Sequence, residues 1–376
     1  MRTVVSSALL AAIVGCGSSS TLPPTGSEVT GCDGAKFLAS PSDLSQRGPW
    51  AVGAKTVTVD GLRTEVWYPV TTSAVEGAAT ARYDIRMALP AEEAAKIPDA
   101  DNPWQTCDCV RDAPLDTEHG KYPVIVFVHG TAAFRHQSLS IVTHWASHGF
   151  VVIAADHPGL VLGDLLGMAC GAPAVPQALS ANIDSELAAL AAASGELAFL
   201  AGHVDTSRVA IAGHSAGGSA AAEAGAKPNV RAVISMAGNR AATATTLEST
   251  MFLSGLSDTV VSAGQVRTAW SGSVSPRRYL ALSEARHLAF SDLCETKNPE
   301  GQDLLAIANE HGVCGAQLAG FLFDCSAPRI DGVTGWNIIN DATTSILRST
   351  LQCQPEANVS SIQSRYPEVG EYQQEL

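Results

Sequence analysis

Arg208-Val209-Ala210-Ile211-Ala212-Gly213-His214-Ser215-Ala216-Gly217-Gly218-Ser219-Ala220-Ala221-Ala222-Glu223 is the stretch on which the reading of this chain turns. The run that ends at Ala212 has the continuous apolar character of a strand buried on both faces. The alanine-rich run after Gly217 reads as a helix. Between them, Gly-His-Ser-Ala-Gly places a serine where strand passes into helix. Side chains at Gly213 and Gly217 would strike the neighbouring strand and helix, so glycine is needed there on steric grounds. So tight a turn also holds Ser215 in a strained backbone conformation. Its hydroxyl is thereby presented at the top of a sheet, with a helix N-terminus beneath it. The five-residue pattern alone is weak, and the strand before it and helix after it supply the specificity.

Working outward, Tyr122–Val128 is a second continuous apolar run and ends in His129-Gly130-Thr131. A helical segment around Ser138–Ser147 leads through Gly149 to a third buried strand, Phe150–Ala155. Ile183–Gly202 has helical composition, with leucines 187, 190, 197 and 200 on one face. Arg231–Met236, Thr250–Ser254 and Arg278–Leu282 read as further strands, and Thr56–Val59 with Leu62–Tyr68 as an antiparallel hairpin turning at Gly61. Alternating strands and helices predict a mainly parallel central sheet with helices on both faces. Together with the serine turn this is the α/β-hydrolase fold, here carrying disulfide-stabilised insertions. The domain is expected over residues 31–353, with insertions at 70–120 and 292–340. Residues 157–182 form a Gly/Pro-rich stretch too long for a simple connection. A closing helix is expected over Ala342–Leu351, and residues 354–376 read as a polar tail.

The first fifteen residues read as an export signal: Arg2 precedes an apolar stretch, Val4 to Val14, too short to span a membrane. Ile13-Val14-Gly15-Cys16 resembles a bacterial lipobox, which implies lipidation at Cys16, an exported protein and a membrane anchor; an ordinary secretory signal is the alternative. Residues 16–30 follow as a linker of Gly, Ser, Thr and Pro. Of nine cysteines, eight remain beyond Cys16: Cys32, Cys107, Cys109, Cys170, Cys294, Cys314, Cys325 and Cys353. An even count in an exported chain predicts disulfides. The pairing stays open, although Cys107 and Cys109 are expected to bond to separate partners. No metal is expected: paired C-x-x-C motifs are missing, and His144 with His148 lacks a third ligand. The net charge of −14, without any Lys/Arg cluster, speaks against nucleic acid as a partner. A hydrophobic content of 46% is ample for one large core.

A serine hydroxyl needs a base, and the base needs an orienting acid. In this fold the chain order is serine, acid, histidine. The loop after strand Thr250–Ser254 reads Gly255-Leu256-Ser257-Asp258, and that after Arg278–Leu282 reads Glu284-Ala285-Arg286-His287. His287 is therefore the expected base and Asp258 its acid, with Asp292, Glu284 and Asp205 as rivals. Ligands bind at such carboxyl ends of strands. The oxyanion requires two backbone donors, expected from Ala216, directly after the serine, and from Thr131, with Ala132 second. His129 is expected to support that loop. Phe134, His214 and the 157–182 loop are expected to contact substrate, with a purely structural role as the alternative for His214.

These residues resemble the platelet-activating-factor acetylhydrolase and dienelactone-hydrolase-like esterases, which are related to cutinases and bacterial polyesterases. The resemblance rests on Thr64-Glu65-Val66-Trp67-Tyr68-Pro69, His129 to Arg135, Ala146-Ser147-His148-Gly149-Phe150, Gly213 to Gly218 and His287 to Asp292. It implies a cofactor-free serine esterase acting on carboxylic esters, with Ser215 and His287 in their matching roles. One departure concerns the acid. The acetylhydrolases carry theirs where this chain has Ser235-Met236-Ala237-Gly238, whereas Asp258 matches the cutinase and polyesterase arrangement. Substrate class therefore stays open between a small ester, a polymer or long-chain lipid, and a short-chain phospholipid. A non-catalytic binding lipoprotein is the reading of a different class. The second departure is segment 292–340, either a cover over the site or surface decoration.

Overall fold

The computed structural model describes Met1 and residues 28–29, 31–357 and 359–376. Cys16, its lipobox and most of the linker lie outside these. Ten strands form the central sheet: β1 Ala51–Val59, β2 Leu62–Val70, β3 Val110–Arg111, β4 Tyr122–Val128, β5 Val151–Ala155, β6 Val204–His214, β7 Val230–Met236, β8 Ser249–Gly255, β9 Arg277–Leu282 and β10 Val369–Glu375. Their spatial order is β10-β9-β8-β7-β6-β4-β5-β2-β1-β3. From β9 across to β5 every neighbouring pair is parallel. The β1–β2 hairpin and β10 add antiparallel margins. The chain leaves β4 to one side and returns as β6 on the other, so the crevice at their carboxyl ends is the switch point where open α/β sheets bind ligands.

Seven longer helices accompany the sheet: α1 Leu139–Ser147, α2 Leu162–Ala169, α3 Leu179–Ala192, α4 Ala216–Ala224, α5 Ala263–Ser271, α6 Leu304–Glu310 and α7 Gly332–Leu351. Alternation along each strand feeds two cores. Ile125, Phe127, Ala212 and Ile234 point toward α1 and α7. Val126, Ile211, Val233 and Phe252 point toward α3, α4 and α5. Helices on both faces of a mainly parallel sheet make this the α/β-hydrolase fold that the sequence predicts.

A third core forms a side lobe from three separate segments. Ile85 and Ile97 come from 70–120, Leu162 and Leu166 from α2, and Ile307 and Val313 from 292–340. They pack around Phe134 and Leu288. Cys170–Cys314 joins the end of α2 to the segment after α6, and Cys294–Cys325 closes the loop that carries α6. The lobe therefore braces the loops after β4 and β9 from one side. Segment 70–120 is more than a surface insertion, since it also supplies edge strand β3.

Several expectations are corrected. Cys107 and Cys109 bond to each other. Ala81 pairs with both, accepting from the Cys107 N–H and donating to the Cys109 carbonyl, each at 2.8 Å. This pinches the backbone around Asp108 and brings the two Cα atoms to 5.1 Å. Cys32 pairs with Cys353. Residues 354–376 are not a free tail: Val359 and Ile362 are buried, and β10 extends the sheet beside β9. The closing helix begins at Gly332, ten residues before the expected Ala342, and so takes the end of the 292–340 segment into the main fold. The helix expected over 183–202 is α3 followed by a short turn of 3-10 helix, Gly195–Leu200, after a left-handed Ala193.

Candidate active site

Ser215 stands between β6 and α4 with φ 58° and ψ −120°. A non-glycine residue is strained in that region, and the surrounding packing has to hold it there. Its N–H donates to the Met236 carbonyl at 2.8 Å. A Cβ at Gly217 would run into the Val128 and His129 carbonyls, and one at Gly213 into the carbonyl of Gly217. The two glycines thus let β6, α4 and the end of β4 close on one point.

The loops after β8 and β9 bring an acid and a base to that point. His287 Nε2 lies 3.0 Å from Ser215 Oγ, and His287 Nδ1 lies 2.8 Å from Asp258 Oδ2. The other Asp258 oxygen accepts the Val260 and Val261 N–H groups at 2.8 and 2.9 Å. With its other oxygen held by these amides, Asp258 accepts a hydrogen bond from His287 Nδ1–H, which fixes that tautomer and leaves the Nε2 lone pair facing the serine hydroxyl. The rival acids are elsewhere. Asp292 accepts from Ser140 and Gln105, and burial pushes its carboxyl up to about 7. Glu284 is exposed, and Asp205 holds Ser207.

The Thr131 loop after β4 lies against the nucleophile: a Cβ at Gly130 would stand 3.3 Å from Ser215 Cβ. The Ala132 N–H is already given to the Leu160 carbonyl at 3.0 Å. Among the described residues the Thr131 N–H has no partner, and Ala216 N–H, at the first position of α4, has none within its helix. Amides without a partner beside the nucleophile are the kind of donor that a developing negative charge requires. His129 steadies the loop. Its Nδ1–H donates to the Gly130 carbonyl at 2.8 Å, its Nε2 accepts the His157 N–H at 3.0 Å, and burial holds its pKa below the usual histidine range.

The cleft in front of Ser215 has a volume of about 450 Å³. Leu179, Ile183, Ala220 and Val261 supply apolar wall, while Asn239 and Arg240 add polar groups. Residues 179 and 180, at the end of the 157–182 stretch, do reach it; none of 292–340 does. That segment packs beside the catalytic loops, with Leu293 and Ile307 in the core that holds Leu288 and Phe134. Two expected substrate contacts are corrected. Phe134 is 1% exposed and packs on His136 inside the side lobe. His214 is 2% exposed and faces inward, donating from Nε2 to the His287 carbonyl at 2.9 Å. His214 is the last residue of β6 and packs into the core, while the turn after it swings Ser215 to the cleft. Burial, followed by the nearby His287, holds its pKa well below the usual range, so it is neutral.

Sequence reasoning missed Gln137, which touches both the Gly130 loop and His214. No spacing or motif marks it. His144 and His148 each place Nε2 3.0 Å from a backbone carbonyl, of Leu44 and Gln46 respectively. Among the described residues, no group of three or more His, Cys, Asp or Glu could hold a metal ion.

Parts of the chain resemble known proteins. Residues 102–159 match the family model described as platelet-activating factor acetylhydrolase, isoform II. That span carries β4, the Thr131 loop, α1 and β5, and stops before the serine. A 46-residue stretch is 48% identical to platelet-activating factor acetylhydrolase from Cavia porcellus, covering 12% of this chain and 10% of that protein. Among solved structures, a ferulic acid esterase from Streptomyces cinnamoneus superposes with a TM-score of 0.56 at 16% identity, covering 86% of this chain and 96% of that one. At that identity the likeness speaks for the shared fold.

Proposed function

We propose that this chain is a serine carboxylesterase that works through an acyl-enzyme. The observation that carries the reading is the Ser215–His287–Asp258 chain, with contacts of 3.0 and 2.8 Å, built on the strained turn after β6. Ser215 Oγ attacks the ester carbonyl carbon as His287 Nε2 takes its proton. The carbonyl oxygen becomes an oxyanion held by the Thr131 and Ala216 amides. Collapse of the tetrahedral species expels the alcohol, which receives the proton from His287. Water then repeats the sequence on the acyl-serine and releases the acid. Asp258 fixes the imidazole and stabilises its charged form.

Both named neighbours hydrolyse esters, which supports the reaction class, and the acetylhydrolase matches favour a short acyl group. The open cleft, with Arg240 and Asn239 beside apolar wall, suits an ester of mixed polarity. The lipobox at Cys16 and four disulfides support an exported, lipid-anchored form. A fluorophosphonate probe tests the nucleophile. One adduct per chain, mapped to Ser215 by peptide mass and lost in His287→Ala, is expected. A folded protein that is never labelled would favour the binding-lipoprotein reading.

A further inference from the structure

The oxyanion amide of Thr131 and the Nε2 of His287 sit on separate loops, after β4 and β9, yet both have to keep their place relative to one hydroxyl. A buried side-chain bridge joins those loops. Gln137 Oε1 accepts the Gly130 N–H at 2.8 Å. Its Nε2 lies 3.2 Å from His214 Nδ1 and 3.1 Å from Ser138 Oγ. His214 passes the contact on, its Nε2–H donating to the His287 carbonyl at 2.9 Å. Ser138 does the same with its hydroxyl, donating to the Phe290 carbonyl at 2.9 Å. The backbone closes the ring, since the Asp292 N–H donates to the Gln137 carbonyl at 2.8 Å.

Each donor and acceptor in this bridge is matched. A histidine that gives its Nε2 proton to a carbonyl has a lone pair on Nδ1, and the Gln137 amide supplies the donor that lone pair needs. A carboxylate at 137 could take the Gly130 N–H but could not satisfy neutral His214. Gly130 also packs directly on the bridge, because a Cβ there would stand 3.0 Å from His214 Nδ1. Gln137, Ser138 and His214 are all buried, so water does not compete for these bonds.

We propose that Gln137, acting through His214, is a positioning residue that holds the oxyanion loop in register with the base loop. It touches neither substrate nor reacting atoms. The inference rests on the esterase reading of Ser215. An error on the order of 1 Å in such a register costs about a hundredfold in rate.

The test compares wild type with Gln137→Leu, Gln137→Glu, His214→Phe and the Gln137→Leu/His214→Phe pair, using p-nitrophenyl butyrate and a trifluoromethyl ketone that forms a tetrahedral adduct. Gln137→Leu is expected to lose about 10- to 100-fold in kcat with KM within about threefold. Its affinity for the ketone should fall in parallel with kcat/KM, while its melting curve stays cooperative. The double variant should lose little beyond the larger single loss, because both substitutions cut one chain of contacts. Unchanged kcat in folded Gln137→Leu, or losses that simply add, would overturn the proposal. Should Gln137→Leu fail to fold, the near-isosteric Gln137→Glu decides: wild-type kcat overturns, and a tenfold or greater loss at unchanged KM supports. Wild type that resists the fluorophosphonate probe would bring down the esterase reading itself, a result separate from any of these.

Discussion

Glu186 offers a quantitative test of the packing behind the cleft. It lies on α3 between Ile183 and Leu190, which enter the core beneath that helix, and it is fully buried. Neither carboxyl oxygen has a hydrogen-bond partner among the described residues. Burial pushes its pKa well above the ordinary carboxylate value. In the unfolded chain the group ionises near pH 4.5, while in the folded chain it loses its proton only at higher pH. Between the two pKa values the unfolded state therefore binds fewer protons, and stability falls as pH rises, by about 1.4 kcal/mol per unit at most. Glu186→Leu removes this penalty together with that of an unpaired buried polar group, about 1–3 kcal/mol. The variant should be more stable by about 1–3 kcal/mol at pH 5, and the gain should be larger at pH 8. Glu186→Gln should lose the pH dependence but keep the unpaired polar group. Urea unfolding at pH 5, 6.5 and 8 reads all three proteins. A Glu186→Leu protein less stable than wild type at pH 8, or a gain that does not change with pH, would refute the reasoning.

Other outcomes follow from the same geometry. Asp258→Asn should lower kcat roughly 10⁴-fold, since an amide cannot hold the Nδ1 tautomer and stabilise the imidazolium; a rate within tenfold of wild type would reassign the acid. Gly217→Ala forces a methyl group into the Val128 and His129 carbonyls, so kcat should fall by about 100-fold or more as the serine turn shifts. Steady-state kinetics beside a melting curve would separate that from loss of the fold. Replacing Cys32 and Cys353 by serine opens a link between residues 321 apart. Chain entropy puts the loss at about 6 kcal/mol at most, read as a lower urea midpoint with kcat at 25 °C unchanged.

How far the sequence reached depended on what kind of force placed each residue. The serine turn was legible because the need for glycine at 213 and 217 is steric and local. Asp258 and His287 were legible because each follows a buried apolar strand, and the ends of such strands converge at one edge of a parallel sheet. Strand β10 was not, because Val-Gly-Glu-Tyr-Gln-Gln-Glu is an edge strand whose polar residues face water. It is held by backbone pairing and by ion pairs such as Arg267–Glu371 and Arg277–Glu375, none of which shows as periodicity. The inward turn of His214 and the Gln137 bridge depend on which way buried side chains point across loops far apart in sequence. The side lobe likewise joins three segments that share a core only after folding.

Whether Ser215 is the nucleophile is tested by hydrolysis of p-nitrophenyl esters from acetate to palmitate by wild type and Ser215→Ala, side by side, with disulfides intact. Wild type should show measurable turnover, greatest on short chains, and the variant should lose about 10⁶-fold in kcat. Turnover that survives Ser215→Ala, or a folded wild type that cleaves none of the series, would contradict this.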